Sequence, residues 1–292
     1  MLVIKLGGSA GIDPATTLDD LATLWPGERI VFVHGANAAL DVFQRQVGHE
    51  PRLVTSSSGQ VSRFTDQATM DDLLAIYAGR VNKRLVEGLR MRGVNAVGLT
   101  ALDGGIASGP RKDTIRVVED GKPKVLRGDY AGSIREIDTR LIDLLLDNGY
   151  LPVLTPPAVS LNGEAINVDG DKLSLRLAEA LKADAMVLLS NTAGLLADLD
   201  DPGSLVREID VADPTSVDAA MAAAGGRMKK KVQAGIDAVA AGIGRVVFAD
   251  ARVERPVSRA LAGEGPVVGT RGAGGRRDDP PPMKGGGRPA PE

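Results

Sequence analysis

The sequence predicts an α/β protein in which a mostly parallel sheet is covered by helices on both faces. Three observations carry that expectation. Short runs of β-branched and aliphatic residues recur along the chain, helical apolar spacings lie between them, and the composition is globular, 43% hydrophobic and 25% charged. Strands buried on both faces read as such continuous apolar runs. The 292 residues fit one large domain or two modest ones.

Taken in order, Leu2–Leu6 is the first strand, and Leu18, Leu21, Ala22 and Leu24 mark the helix after it. Ile30–Val33 follows as a strand, then a long helical stretch marked by Leu73, Leu74 and Tyr77, then a strand at Ala96–Leu99. From Gly104 to Tyr130 the helical pattern lapses. There Thr114–Val118 and Lys124–Arg127 flank Glu119-Asp120-Gly121-Lys122, whose Asp-Gly signals an antiparallel hairpin standing off the main sheet. Alternation then resumes with a helix at Leu141, Leu144 and Leu145, a strand at Leu151–Thr155, helical Leu173–Ala183, a strand at Ala185–Ser190, a helix at Val232, Ile236 and Val239, and a strand at Arg245–Ala249. The last 24 residues, from Gly269 to Glu292, hold seven Gly and five Pro and no Val, Ile, Leu or aromatic residue. Such a segment cannot offset the entropy of ordering and is expected to be a disordered tail.

Composition also excludes chemistry. The chain has no Cys, and its two His are His34 and His49, which removes thiol catalysis, disulfides and Cys/His zinc sites. The net charge of −3 argues against a general nucleic-acid binder. No apolar run approaches the roughly 18 residues of a membrane helix, and Leu2–Leu6 does not read as a signal peptide. A cytoplasmic protein is expected.

Five segments could carry chemistry. Lys5-Leu6-Gly7-Gly8-Ser9 ends the first strand, and paired glycines there let amides cradle phosphate oxygens. It matches neither Gly-x-Gly-x-x-Gly nor Gly-x-x-x-x-Gly-Lys-Ser/Thr. A lysine on a buried strand needs an anionic partner, although a tight turn with a snorkelling lysine would also fit. Val33-His34-Gly35-Ala36-Asn37 ends the second strand; His34 reads as a strand-end residue bonded to backbone, and His49 as a loop residue. Gly59–Asp66 offers the Arg63 fork for a carboxylate or a surface ion pair, with Thr65 and Asp66 as helix caps. In Asn167-Val168-Asp169-Gly170-Asp171 the alternate polar side chains share a face and could converge, or serve as a helix cap; a calcium loop lacks its twelfth-position Glu. Gly225–Val232 sets Lys229, Lys230 and Lys231 at a helix start, where cations oppose the dipole unless an anion is near; a solvated face is the alternative for Lys229 and Lys230.

Lys-x-Gly-Gly after strand one, His-Gly after strand two, Asn-x-Asp-x-Asp before a central helix and Gly-x-Met-x-x-Lys near the end resemble, in this order, the amino acid kinase family of acetylglutamate kinases. The resemblance spans about Met1 to Val268. It implies an open three-layer αβα sandwich around a mainly parallel eight-stranded sheet, with residues 1–172 as the acceptor lobe and 173–268 as the ATP lobe. More narrowly, Gly59–Asp66, Val81–Val86, Arg127–Tyr130 and Gly149–Pro157 look like the kinases of the carrier-protein lysine pathway. Those enzymes use ATP and magnesium to phosphorylate the side-chain carboxylate of 2-aminoadipate, or of glutamate in the related arginine route, held on the acidic carrier LysW.

By position the resemblance implies Lys5 and Lys231 as the lysines that neutralise the transferring phosphoryl group, and Asp171 as the carboxylate that holds them. Gly7 and Gly8 would contact the nucleotide phosphates, and Gly35 with Ala36 would bind the acceptor by backbone amides. Arg63 and Asn167 would grip its amino-acid end. Ser190, Asn191, Gly194 and Leu195, with the segment after Gly226, would border the nucleoside, and Mg²⁺ would sit mainly on the phosphates rather than on protein ligands. Arg111, Lys112, Arg116, Lys122, Lys124 and Arg127 in and beside the hairpin could dock the acidic carrier. Ala36 departs from the family's glycine, and a methyl group there is expected to crowd close backbone approach and to disfavour a positive φ. A homodimer is implied, and with strand one beginning at Leu2 no N-terminal helix for arginine feedback is expected. Two other functions fit less well: a free N-acetylglutamate kinase, against which the hairpin and Gly59–Asp66 argue, and a non-catalytic nucleotide-binding regulator, which would not need Lys5, Asp171 and Lys231 together.

The chemistry suits this inventory. A carboxylate acceptor is ionised at pH 7 and needs no general base. Phosphoryl transfer then rests on positioning and on neutralising spreading negative charge, which lysines and amides can do.

Overall fold

The computed structural model describes residues 1–56, 59, 61–119, 122–192, 194, 195, 201, 204–224 and 226–270. Eight strands form the main sheet: β1 Leu2–Leu6, β2 Ile30–His34, β3 Ala96–Thr100, β4 Leu151–Thr155, β5 Ala185–Ser190, β6 Glu208–Asp210, β7 Arg245–Asp250 and β8 Val267–Gly269. Their order is β6-β8-β7-β5-β1-β2-β4-β3, parallel except where β7 meets β8. The six apolar runs of the sequence are all strands of this sheet. The other two, β6 and β8, are three residues each, too short for a hydrophobic run to mark them. Gly269, counted above with the tail, is instead the last residue of β8, paired with Asp210 and Arg245. The rest of the expected tail, from 271 onward, lies outside the described residues.

Side-chain alternation along β1 divides the core into two layers. Val3 joins Val31, Val33, Leu173, Leu177 and Leu188 beneath the helices Arg140–Asp147, Gly170–Ala180 and Gly226–Ala240. Leu2, Ile4 and Leu6 join Phe32, Leu85, Leu89 and Val187 beneath Ala15–Leu24, Asn82–Met91 and Pro256–Leu261. The three-layer sandwich is therefore present. Lys5 shares the Val3 face and so points toward helix Gly170–Ala180, whereas His34 shares the Phe32 face.

The stretch read as one long helix is three windings. Gln67–Leu73 is α-helical, Leu74–Val81 is π-helical and Asn82–Met91 is α-helical again. Apolar spacing cannot distinguish these, because the face shifts by only part of a turn.

The expected hairpin pairs Thr114–Glu119 with Lys122–Arg127, antiparallel and apart from the main sheet; its Asp120-Gly121 turn lies outside the described residues. Val117 and Leu126 are buried against Val54 and Phe64, so the hairpin is anchored on the Leu53–Thr55 and Val61–Arg63 ribbon. Among the described residues no helix is long and apolar enough to cross a membrane.

Candidate active site

The chain leaves β1 toward β2 on one side of the sheet and later enters β5 on the other. Such a switch point opens a crevice at the carboxyl ends of the strands, and most of the singled-out segments meet around it. Gly7 N–H extends the sheet by donating to Leu189 O at 2.9 Å, and Gly35 N–H donates to Leu6 O at 3.0 Å. The two glycine loops are packed backbone to backbone. A Cβ on Gly8 would lie 2.3 Å from Ala36 N and 2.5 Å from Gly35 C, so no other residue fits unless the loops part.

The buried-strand lysine has its anion. Lys5 Nζ lies 2.6 Å from Asp171 Oδ1 in the first turn of helix Gly170–Ala180. Burial raises the Asp171 pKa, but the Lys5 charge and hydrogen bond, followed by the charge of Lys231, outweigh it and leave the carboxyl below its ordinary range. Lys231, from helix Gly226–Ala240, thus acts on the same carboxylate, and the three residues carried over as catalytic do converge. Asn167, Asp169 and Asp171 take different partners: Asn167 bonds Thr65, and Asp171 pairs with Lys5. Asp169 is the helix cap, accepting from Lys172 N–H at 2.9 Å, which leaves Asp171 free for the lysine.

At the end of β2, Ala36 has a negative φ, in keeping with the expectation that its methyl group disfavours a positive one. Its φ is −149° and its ψ 27°. Its side chain is buried with Leu40, Met70, Leu73 and Tyr77 rather than facing the crevice. His34 is 1% exposed; Asn82 Nδ2 donates to its Nε2 at 3.1 Å, and its Nδ1 faces Gly35 O at 3.3 Å. Burial lowers its pKa to about 4, with Lys5 and Lys83 adding to the effect and the Gly35 bond opposing it. It is a neutral, backbone-bonded residue, as read from the sequence.

Arg63 is held rather than free. Its guanidinium pairs with Asp41 and donates to Gln44 Oε1 at 2.5 Å. Gln44 Nε2 donates in turn to Asp72 Oδ2 at 3.1 Å, and His49 Nδ1 lies 3.0 Å from the same oxygen. Asn167 Nδ2 donates to Thr65 Oγ1 at 3.0 Å, while buried Asp129 accepts from Thr65 N–H and Ala131 N–H. Asn167 is thus tied to the short segment that carries Arg63. Asp66 caps helix Gln67–Leu73 as expected. Asp41, Gln44 and Asp129 were not singled out from the sequence; Asp129 lay inside the quoted Arg127–Tyr130 motif, but the other two carried no signal beyond helical spacing.

On the nucleotide side, Ser190 ends β5 with its hydroxyl 3.0 Å from that of Thr192, and Asn191 is exposed. Gly194 has φ 130°, and a Cβ there would meet Pro266 at 2.5 Å. The Leu195 side chain is 2% exposed and joins the core, so its backbone rather than its side chain is left to border a ligand. Leu196, Gly225 and the side chains of Arg227 and Lys230 lie outside what is described; Lys229 is exposed.

The basic set divides in two. Lys112, Arg116, Lys122, Lys124 and Arg127 are exposed. Arg111 is committed internally: its plane stacks 3.5 Å from the Tyr130 ring centroid, Nε donates to Asp129 O at 2.8 Å and Nη1 to Glu164 at 2.9 Å. It braces the site rather than forming part of an open docking face.

Lys5 and its surroundings bring together two cations, Lys5 and Lys231, glycine amides and a lysine-paired carboxylate. That donor set fits a polyphosphate, with magnesium left to phosphate oxygens and water.

Comparison with known proteins shows what the chain resembles. The Amino acid kinase family profile matches residues 1–250. The [LysW]-aminoadipate kinase of Deinococcus radiodurans is 53% identical over 269 residues, covering 92% of this chain and 91% of that protein. The [LysW]-aminoadipate kinase of Thermus thermophilus is 50% identical over 92% of this chain and its own full length, 100%. The [LysW]-aminoadipate/[LysW]-glutamate kinase of Metallosphaera sedula is 29% identical over 92% of this chain and 100% of its own. Carbamate kinase from Giardia lamblia bound to AMP-PNP superposes with a TM-score of 0.63 at 16% identity, over 92% of this chain and 98% of that one. N-acetylglutamate synthase from Neisseria gonorrhoeae gives 0.73 at 22% identity, over 92% of this chain and 59% of that one. These two similarities speak to the fold alone. With a matching profile over most of its length, relatives at half identity and the lysine-carboxylate cluster at the switch point, the chain belongs to the amino acid kinase family.

Proposed function

We propose that this kinase transfers the γ-phosphoryl group of ATP to the side-chain carboxylate of 2-aminoadipate, and of glutamate as a second substrate, while that amino acid is attached to the carrier protein LysW. The product is an acyl phosphate in lysine biosynthesis, and in arginine biosynthesis where glutamate is used. The observation that carries the reading is the convergence of Lys5, Asp171 and Lys231 on one crevice in a chain half identical to two LysW-aminoadipate kinases.

In this reading residues 1–172 hold the acceptor and 173–268 hold ATP. The acceptor carboxylate attacks without deprotonation. Lys5 and Lys231 face the charge that spreads over the phosphoryl oxygens, and Asp171 keeps both from straying. Amides of Gly7 and Gly8 receive the phosphates, with Ser190, Asn191, Gly194 and the Leu195 backbone beside the nucleoside. Mg²⁺ bound to the triphosphate supplies further neutralisation. Gly35 and Ala36 present amides to the acceptor; Arg63 and Asn167 take its amino-acid end, Arg63 exchanging Asp41 for the substrate's carboxylate. The exposed cations Lys112, Arg116, Lys122, Lys124 and Arg127 steer the acidic carrier. A homodimer belongs to the same reading.

The test is a hydroxylamine trap for acyl phosphate, with ATP and, in parallel, LysW-aminoadipate, LysW-glutamate and free N-acetylglutamate. Hydroxamate from the carrier-bound substrates supports the reading. Turnover confined to N-acetylglutamate, or absent with every acceptor, overturns it.

A further inference from the structure

The π-helical segment Leu74–Val81 has no role in the chemistry so far, yet it lies against the acceptor loop. Its last bond runs from Asn82 N–H to Tyr77 O, five residues apart. At 3.6 residues per turn such a pair would point about 140° away from each other. The wider winding stacks them, and both side chains reach the same loop. Asn82 Nδ2 donates to His34 Nε2 at 3.1 Å and to Val153 O at 3.0 Å, while the Tyr77 hydroxyl donates to Asn37 Oδ1 at 2.7 Å. His34 and Asn37 are the residues on either side of Gly35 and Ala36.

We propose that Tyr77 and Asn82 form a two-pronged clamp, made possible by the π-winding, that fixes the His34–Asn37 loop in its acceptor-binding shape, with Tyr77 as a positioning residue acting through Asn37. The proposal rests on the reading that this loop receives the acceptor. Packing alone does not account for the hydroxyl. The Tyr77 ring is 5% exposed, in a cluster with Ala36, Leu40, Met70 and Leu73 that a phenylalanine would fill equally. A buried hydroxyl is costly unless bonded, and the bond it makes is to the loop. Single π-windings also concentrate at functional sites. The loop needs external support because Ala36, at the helix N-terminus, contributes no side-chain cap.

Tyr77→Phe removes one hydroxyl and keeps the ring. Amide hydrogen exchange at residues 35–38 is expected to quicken by about tenfold, the scale of one lost hydrogen bond. The KM for the carrier-bound acceptor should rise by about the same factor while the KM for ATP stays put. Asn37→Ala, at an exposed position, should reproduce both effects, and the double variant should be no worse than either single one. Unchanged exchange in Tyr77→Phe, or fully additive losses in the double variant, would overturn the clamp. Quickened exchange with an unchanged acceptor KM would support the clamp and overturn the placement of the acceptor at this loop.

Discussion

Lys5 Nζ and Asp171 Oδ1 stand 2.6 Å apart, joining the central strand to the first turn of helix Gly170–Ala180 at the point where the chain changes sides of the sheet. Burial works against the Asp171 charge and the two lysines override it. Because the folded pKa is depressed, the contribution of this carboxylate to stability is present above its unfolded value and lost as pH falls through the folded one. The pair is therefore intact at neutral pH, with Lys5 held beside the glycine loop that ends β1.

Asp171→Asn preserves shape and removes the charge that pairs with Lys5 and that Lys231 reinforces. Phosphoryl transfer measured by rapid quench should slow by about 10²–10³-fold, with a smaller change in KM for ATP. A rate equal to that of the parent protein would remove Asp171 from the machinery.

Burial keeps His34 neutral, with its pKa lowered to about 4 from an ordinary 6.5. The unfolded chain takes the proton first as pH falls, so stability declines between about pH 6.5 and pH 4, by roughly 3 kcal/mol in all. With two His in the chain, His34 can be assigned by losing the other signal in His49→Gln. Its ring resonances should not titrate between about pH 8 and pH 5; a midpoint near the ordinary value would contradict the neutral assignment.

The glycine loops discriminate between two single-methyl changes. On Gly8 a Cβ would collide with backbone atoms of Gly35, Ala36 and Asn37 at 2.5, 2.3 and 2.7 Å, whereas on Gly7 the nearest atoms are 3.2 and 3.3 Å away. Gly8→Ala should lower the unfolding free energy by about 1–3 kcal/mol and impair acceptor binding, with Gly7→Ala much milder. Urea midpoints compare them directly, and equal losses would show that the loops are not so closely packed in solution.

Arg116 and Arg127 lie on the exposed face of the hairpin with Val118 and Val125, which are 42% and 54% exposed. Reversing both to Glu should lower kcat/KM for the carrier-bound acceptor by about tenfold at low salt, with the deficit shrinking as salt rises. Arg111→Ala should instead lower thermal stability, since it strips the stack on Tyr130 and the bonds to Asp129 and Glu164. Salt-independent effects of the reversal would argue against electrostatic docking.

Legibility from sequence divides along physical lines. Six strands declared themselves because a strand buried on both faces needs an unbroken apolar run. β6 and β8 did not, because three residues whose pairing partners come from far along the chain carry no local pattern. Lys5 announced itself by the cost of burying a charge, and Asp171 supplied the predicted anion. The Arg63–Gln44–Asp72–His49 chain of bonds was invisible, since it is assembled across helices Asn37–Gln46 and Gln67–Leu73 and the loop at His49. The burial of Ala36 against Tyr77 was invisible for the same reason, because it is set by tertiary packing. The π-winding left no trace in the apolar spacing, although both Tyr77 and Asn82 bond the His34–Asn37 loop from it.

In the proposed transfer, Lys5 and Lys231 neutralise the phosphoryl group in flight. Single-turnover transfer from ATP to LysW-aminoadipate, measured in Lys5→Ala and Lys231→Ala with circular dichroism confirming each fold, tests it most directly. A slowing by several orders of magnitude, about 10³-fold or more, is expected in each variant. Transfer at the parent rate in either folded variant would contradict the claim.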